Sequence, residues 1–158
     1  MPIIDDLNLS PKTRVVIWEI NESLQDLESK VVLSEYSIKL LNQKKSEIQK
    51  KQFLAIRNIF KLLSIEDNEL KYDQVGKPIF SQNKILSISH SGNYATVITS
   101  DNPVGITGID FKKNILTLPL GINSSKCKSW YVNNDDIYSF ETHFRISKNY
   151  TLAFVIKN

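Results

Sequence analysis

The sequence predicts an α+β domain in which an antiparallel or mixed sheet packs against one long helical layer. Three observations carry the prediction. A β-branched and aromatic run, RVVIWEI, stands early in the chain; a Gly- and Pro-free segment follows; then come short alternating runs punctuated by Gly, Asn and Pro.

Taken in order, Arg14 to Ile20 is bounded by Pro11 and Asn21 and reads as a buried first strand. From about Ser34 to Leu63 the apolar residues Ile48, Ile56, Ile59, Phe60 and Leu63 recur at helical spacing, which predicts one or two helices. LKYDQVGKPIF predicts a strand with a turn at Gly76 to Pro78, and KILSISHS and YATVITS predict neighbouring strands joined by the Ser91–Asn93 turn. DNP at Asp101 to Pro103 supplies a turn before VGITGIDF. Residues 114 to 129 read as loop, and YVNNDDIYSF and HFRISKNYTLAFVIKN as two or three closing strands.

The chain has 158 residues, 41% hydrophobic and 23% charged, so a disordered, collagen-like or disulfide-scaffold protein is a poor match. Length allows it to bury roughly 70% of its unfolded surface. Cys127 is the single cysteine, which rules out an internal disulfide and a cysteine metal cluster and points to a reducing compartment. The start, MPIIDDLNLSPKTR, lacks the basic and then apolar pattern of a signal peptide, and no run approaches a membrane span, so a cytoplasmic location is the expectation. Four Asn-x-Ser/Thr matches, at Asn8, Asn21, Asn123 and Asn149, carry no weight in that setting. Trp18, Trp130 and Cys127 read as packing residues.

Net charge is only +3, but Lys39 to Lys61 holds seven basic residues against one acid, Glu47, a local net of +6. On a helix, Lys50, Leu54, Arg57 and Lys61 fall within about a third of the circumference, a stripe roughly 16 Å long. A phosphate site and a solvated helix face both fit that stripe. Nucleic acid fits less well, because the interleaved Phe53 and Phe60 sit at core spacing.

A second group is GKP, Gly76 to Pro78, with SISHS, Ser87 to Ser91. His90 leaves a strand into a Ser-Gly turn, where it and Lys77 can donate to a ligand phosphate; an inconsequential strand-end histidine is the alternative. A hydrolytic Ser-His pair lacks the G-x-S-x-G elbow. Third, in GIDFKK, Asp110 ends the apolar strand before it, where a carboxylate suits a hard cation or a structural role.

The order KKQFLAIRNIFKLL, YDQVGKPIF, ILSISHSGNYATVI, VGITGIDFKK resembles the 4'-phosphopantetheinyl transferase superfamily, of the longer, surfactin-synthetase-activating type, over about Arg14 to Lys113. That family moves the phosphopantetheine arm of coenzyme A onto a serine of an apo acyl or peptidyl carrier protein, using magnesium. The resemblance implies two similar halves, here 1–105 and a shortened 106–158, forming one compact unit. It implies that Arg57, Lys77, His90 and neighbouring Ser89, with Lys50 on the same stripe, contact coenzyme A phosphates. It further implies His90 and Asp110 as catalytic residues and Asp110 as a magnesium ligand.

Where the family reads G-I-D-I-E, this chain reads Gly108, Ile109, Asp110, Phe111, Lys112, and the later W-x-x-K-E-x-x-x-K helix has no counterpart: Trp130 is followed by YVNND. Two readings of function follow, a magnesium-dependent transferase and a non-catalytic module that binds coenzyme A or a carrier protein. A shortened second half also leaves apolar surface that a homodimer would cover.

Overall fold

The structure, a computed structural model, describes residues 3–10, 13–74, 78–80, 85–101, 104–110, 124–133, 136–146 and 151–157. Strands β1 (Ile3–Ser10) and β2 (Thr13–Glu19) lead into helices α1 (Leu24–Ser29), α2 (Glu35–Asn42) and α3 (Glu47–Leu62), and a 3-10 turn follows at Asp67–Glu69. The later strands are β3 (Leu70–Tyr72), β4 (Pro78–Phe80), β5 (Ile85–Ser91), β6 (Tyr94–Ser100), β7 (Val104–Asp110), β8 (Ser124–Asn133), β9 (Asp136–Ile146) and β10 (Thr151–Lys157). The α+β class expected from the sequence is what forms.

One sheet has the order β1-β2-β6-β5 and a second the order β7-β10-β9-β8, every pairing antiparallel, with β3 and β4 as a separate small hairpin. In the first sheet β6 is paired on both sides, and its residues Tyr94 to Ile98 are all buried. The polar member of that run, Thr96, is fully buried because its hydroxyl donates to the Val16 carbonyl at 2.9 Å, which satisfies it inside the sheet.

Helix α3 is the spine of the core. Ser46 and Gln49 form a reciprocal capping box at its start, which fixes where the helix begins. Nine consecutive residues, Gln52 to Phe60, are buried, so this helix is enclosed on all sides rather than laid on a surface. Its apolar side packs on Val16, Trp18, Ala95 and Val97 of the sheet and on Leu27 of α1. The Asn58 amide donates to the Leu27 carbonyl at 3.0 Å and to the Leu54 carbonyl at 2.9 Å, joining α1 to α3.

The helix stops in a Schellman arrangement. Ile65 N–H donates to the Phe60 carbonyl and Ser64 N–H to that of Lys61, with Ser64 in the left-handed region at φ 56°. Glycine normally takes that position because a Cβ is crowded there.

Several expectations are corrected. The segment 114–129 was expected as loop, yet β8 begins at Ser124 and pairs with β9 from Ser124 to Asn133; residues 111–123 lie outside the described ones. Strand β1 and helix α1 were not expected at all. Ile48, assigned to the apolar face of the helix, is 37% exposed because it lies in the first turn of α3, before the enclosed stretch. Trp18 packs in the core as expected, its indole N–H reaching Glu22 Oε2 at 3.4 Å. No helix among the described residues is long and apolar enough to cross a membrane.

Candidate functional site

The clearest concavity is a cleft of about 970 Å³ between the helices, β5 and the β3–β4 hairpin. Its floor is apolar, from Leu40 of α2, Phe53 and Ile56 of α3 and Ile88 of β5. Tyr72 and Pro78 of the hairpin close one side. Lys44 and Lys45, in the link between α2 and α3, and Ser89 and His90, at the end of β5, supply the polar side.

Local chemistry explains why the link presents two lysines. The Lys44 N–H donates to the Leu41 carbonyl at 3.1 Å as α2 ends, and the Gln49 side chain accepts from the backbone N–H of Lys45 at 3.1 Å. The capping box that starts α3 therefore also holds the backbone of the basic link. Lys44 Nζ sits 5.9 Å from the centroid of the Phe53 ring, a cation over an aromatic face.

His90 stands at the exposed end of β5 in register with Ala95. Desolvation in the cleft, and secondarily the positive charge of Lys44, hold its imidazole below the usual value of 6.5, so at neutral pH it is uncharged and able to accept a proton. An incoming anion opposes both effects by favouring the charged imidazolium. Two ammonium groups and one protonatable imidazole around an apolar floor suit a ligand that is anionic at one end and apolar or planar along its body.

The basic stripe is corrected. Leu54 is fully buried and Arg57 is 3% exposed, so the helix face expected to present cations turns inward at its middle. Arg57 Nε lies 2.6 Å from Asp67 Oδ1 in a buried ion pair, and its Nη1 donates to the Tyr72 hydroxyl at 3.3 Å. The physical reason is that Asp67, ten residues further along the chain, neutralises the guanidinium inside the protein. At the C-terminal end of the stripe, Lys61 Nζ donates to the Lys30 carbonyl at 2.8 Å, closing the end of α1.

The structure thus brings Ser89 and His90 together at the cleft, with Arg57 behind its wall. Lys50 is half-buried in α3 and is not one of the cleft-lining residues. Lys77 lies outside the described residues, although Pro78, the next residue, lines the cleft. Asp110 closes β7 in register with Thr151 of β10.

For magnesium, the donor chemistry is thin. Among the described residues no group of three or more His, Cys, Asp or Glu stands together, and the sequence after Asp110 runs Phe111, Lys112, Lys113. Magnesium takes hard oxygen donors, and two cationic neighbours in sequence oppose it, so this set does not fit the ion.

Sequence reasoning missed Lys44, Lys45, Phe53 and Tyr72 as cleft residues. The signal that marks the lysines is their place between two capped helices, Ser34 starting α2 and Ser46 starting α3. No protein-family description matches the chain, and no curated protein matches it.

Proposed function

We propose that this chain is a 4'-phosphopantetheinyl transferase homologue whose cleft binds coenzyme A, the family activity being transfer of the phosphopantetheine arm to a serine of an acyl or peptidyl carrier protein. One observation carries the reading: Ser89 and His90 of the S-x-S-H-S strand line the same cleft as Lys44 and Lys45. Coenzyme A brings a 3'-phosphate and a diphosphate, and three cationic or protonatable side chains are the donors that such a ligand draws on. The volume, about 970 Å³, is at the upper end of the range usual for small-molecule sites. The phosphate role first given to Arg57 passes in this reading to Lys44 and Lys45.

The second reading, binding without transfer, is favoured by the donor set around Asp110, which does not fit magnesium. Calorimetric titration with coenzyme A, once with magnesium and once with a chelator, tests the shared part. Saturable binding supports the cleft reading, and no heat in either buffer overturns it. Incubation with several apo carrier proteins then separates the two: a gain of one phosphopantetheine mass in the presence of magnesium, lost in Asp110→Ala, means transfer, whereas binding with no mass gain at high protein concentration means a non-catalytic module.

A further inference from the structure

Arg57 reaches the cleft only from behind. Its guanidinium carbon lies 4.1 Å from the centroid of the Phe53 ring, and 5.2 Å and 6.0 Å from those of Phe60 and Tyr72. Its Nη1 also donates to the Tyr72 hydroxyl at 3.3 Å. Among the described residues, the benzene rings that line the cleft are those of Phe53 and Tyr72, and they come from different elements, α3 and β3. Arg57 is the side chain that both touch.

The opposite edge of the guanidinium is equally committed. Asp67 Oδ1 lies 2.6 Å from Arg57 Nε and accepts from the Ser37 hydroxyl at 2.8 Å, while Asp67 Oδ2 accepts from the Ser34 backbone N–H at 2.7 Å and the Ser34 hydroxyl at 2.6 Å. Ser37 Oγ in turn accepts from Arg57 Nη2 at 3.3 Å. This cluster joins the start of α2, the middle of α3, the 3-10 turn and β3.

A buried ion pair is a weak source of stability, since packed apolar residues of the same volume do as well. What a guanidinium adds is direction: a flat face to stack on a ring and a rigid fork whose N–H groups point along fixed lines. Here the face meets Phe53 while the fork meets Tyr72 and Asp67.

We propose that the Arg57–Asp67 pair is a positioning device for the aromatic wall of the cleft. It sets the Phe53 and Tyr72 rings against the cationic side formed by Lys44, Lys45 and His90, so that the body and the anionic end of one ligand are held together. The inference deepens the coenzyme A reading and rests on it for the ligand, but the ring positions are a property of the protein alone.

The test therefore has two arms. Arg57→Ala risks unfolding, so the variants are Tyr72→Phe, which keeps the ring and removes only its bond to Arg57, and Asp67→Asn, which keeps the size and removes the charge. In the ligand-free protein, aromatic carbon NMR should show the Phe53 ring signals moving in both variants, although neither substitution alters Phe53 itself. Phe53 signals that stay in place overturn the proposal. In the second arm, coenzyme A should bind Tyr72→Phe about three- to tenfold more weakly, with the thermal midpoint nearly unchanged. Affinity within twofold of the unsubstituted protein overturns the proposal as well. Should the unsubstituted protein itself fail to bind coenzyme A, the cleft reading falls, and the Phe53 signals alone decide the positioning role.

Discussion

Gln52 Nε2 donates to the carbonyl oxygen of Gly92 at 2.8 Å, so that α3 grips the tip of the β5–β6 hairpin two residues from His90. Gly92 takes φ 52° there, a conformation that glycine reaches at little cost. The bond fixes the end of β5 against the helix that forms the cleft floor. Gln52→Leu should lower unfolding stability by about 1 kcal/mol and loosen the hairpin tip. Urea unfolding together with amide exchange at Asn93 and Tyr94 checks it; unchanged values in both would show that the bond contributes nothing.

His90 gives a pH dependence of known sign. Desolvation first, and Lys44 second, hold its pKa below 6.5 in the folded protein, so the folded state resists protonation more than the unfolded chain. The stability linked to this group is therefore complete above the unfolded value and declines as pH falls from there through the lower folded value. A bound phosphate favours the imidazolium, so affinity should instead rise over the same window, with proton uptake. Coenzyme A is expected to bind more tightly at about pH 6 than at about pH 7.5. The ligand's own phosphate titration persists in His90→Gln, so the difference between the two proteins isolates the imidazole. Identical profiles would sink the assignment.

Removing Arg57 should be chiefly a stability defect. Arg57→Ala leaves Asp67 charged and largely buried with its partner gone, which costs about 3 to 5 kcal/mol. Chemical denaturation at neutral pH measures it. A loss below about 1 kcal/mol would place the pair with exposed salt bridges such as Arg14–Asp6, whose side chains are each about one third exposed.

Ser64 offers the opposite change. With φ at 56° just past the end of α3, Ser64→Gly should raise stability by about 1 kcal/mol, because the left-handed conformation costs a residue with a Cβ about that much. A lower thermal midpoint in Ser64→Gly would mean that the serine side chain makes a compensating contact.

Legibility in the sequence followed the physics of each element. RVVIWEI and YATVITS were visible as strands because β2 and β6 lie in the interior of the first sheet, paired on both sides, where burial selects β-branched residues. β1, IIDDLNLS, is an edge strand paired on one side only, so its acids are tolerated and its apolar signal is weak. α1 has only six residues, too few to display a helical period, and is held by Asn58 rather than by its own pattern. That Ser89 and His90 stand together at the end of a strand was legible because SISHS alternates and runs into a Ser-Gly turn. The inward turn of Arg57 was not, since periodicity assigns a charged residue to water and only the folded chain brings Asp67 to it.

The pairing of Thr13 with Ser100 sets an order of events. Their hydroxyls meet at 2.7 Å across 87 positions of sequence, and all three helices lie within the loop that this contact closes. Bringing such distant segments together carries a large entropic cost, which is met only when the intervening chain is already compact. Helix formation and the docking of α1 on α3 are therefore expected to precede the arrival of β6 beside β2, an order that pulse-labelled amide exchange checks. A nascent chain that has not yet released Ser100 leaves the β6-facing edge of β2 open even with β1 in place, and association between copies is expected to be greatest in the interval before β6 arrives.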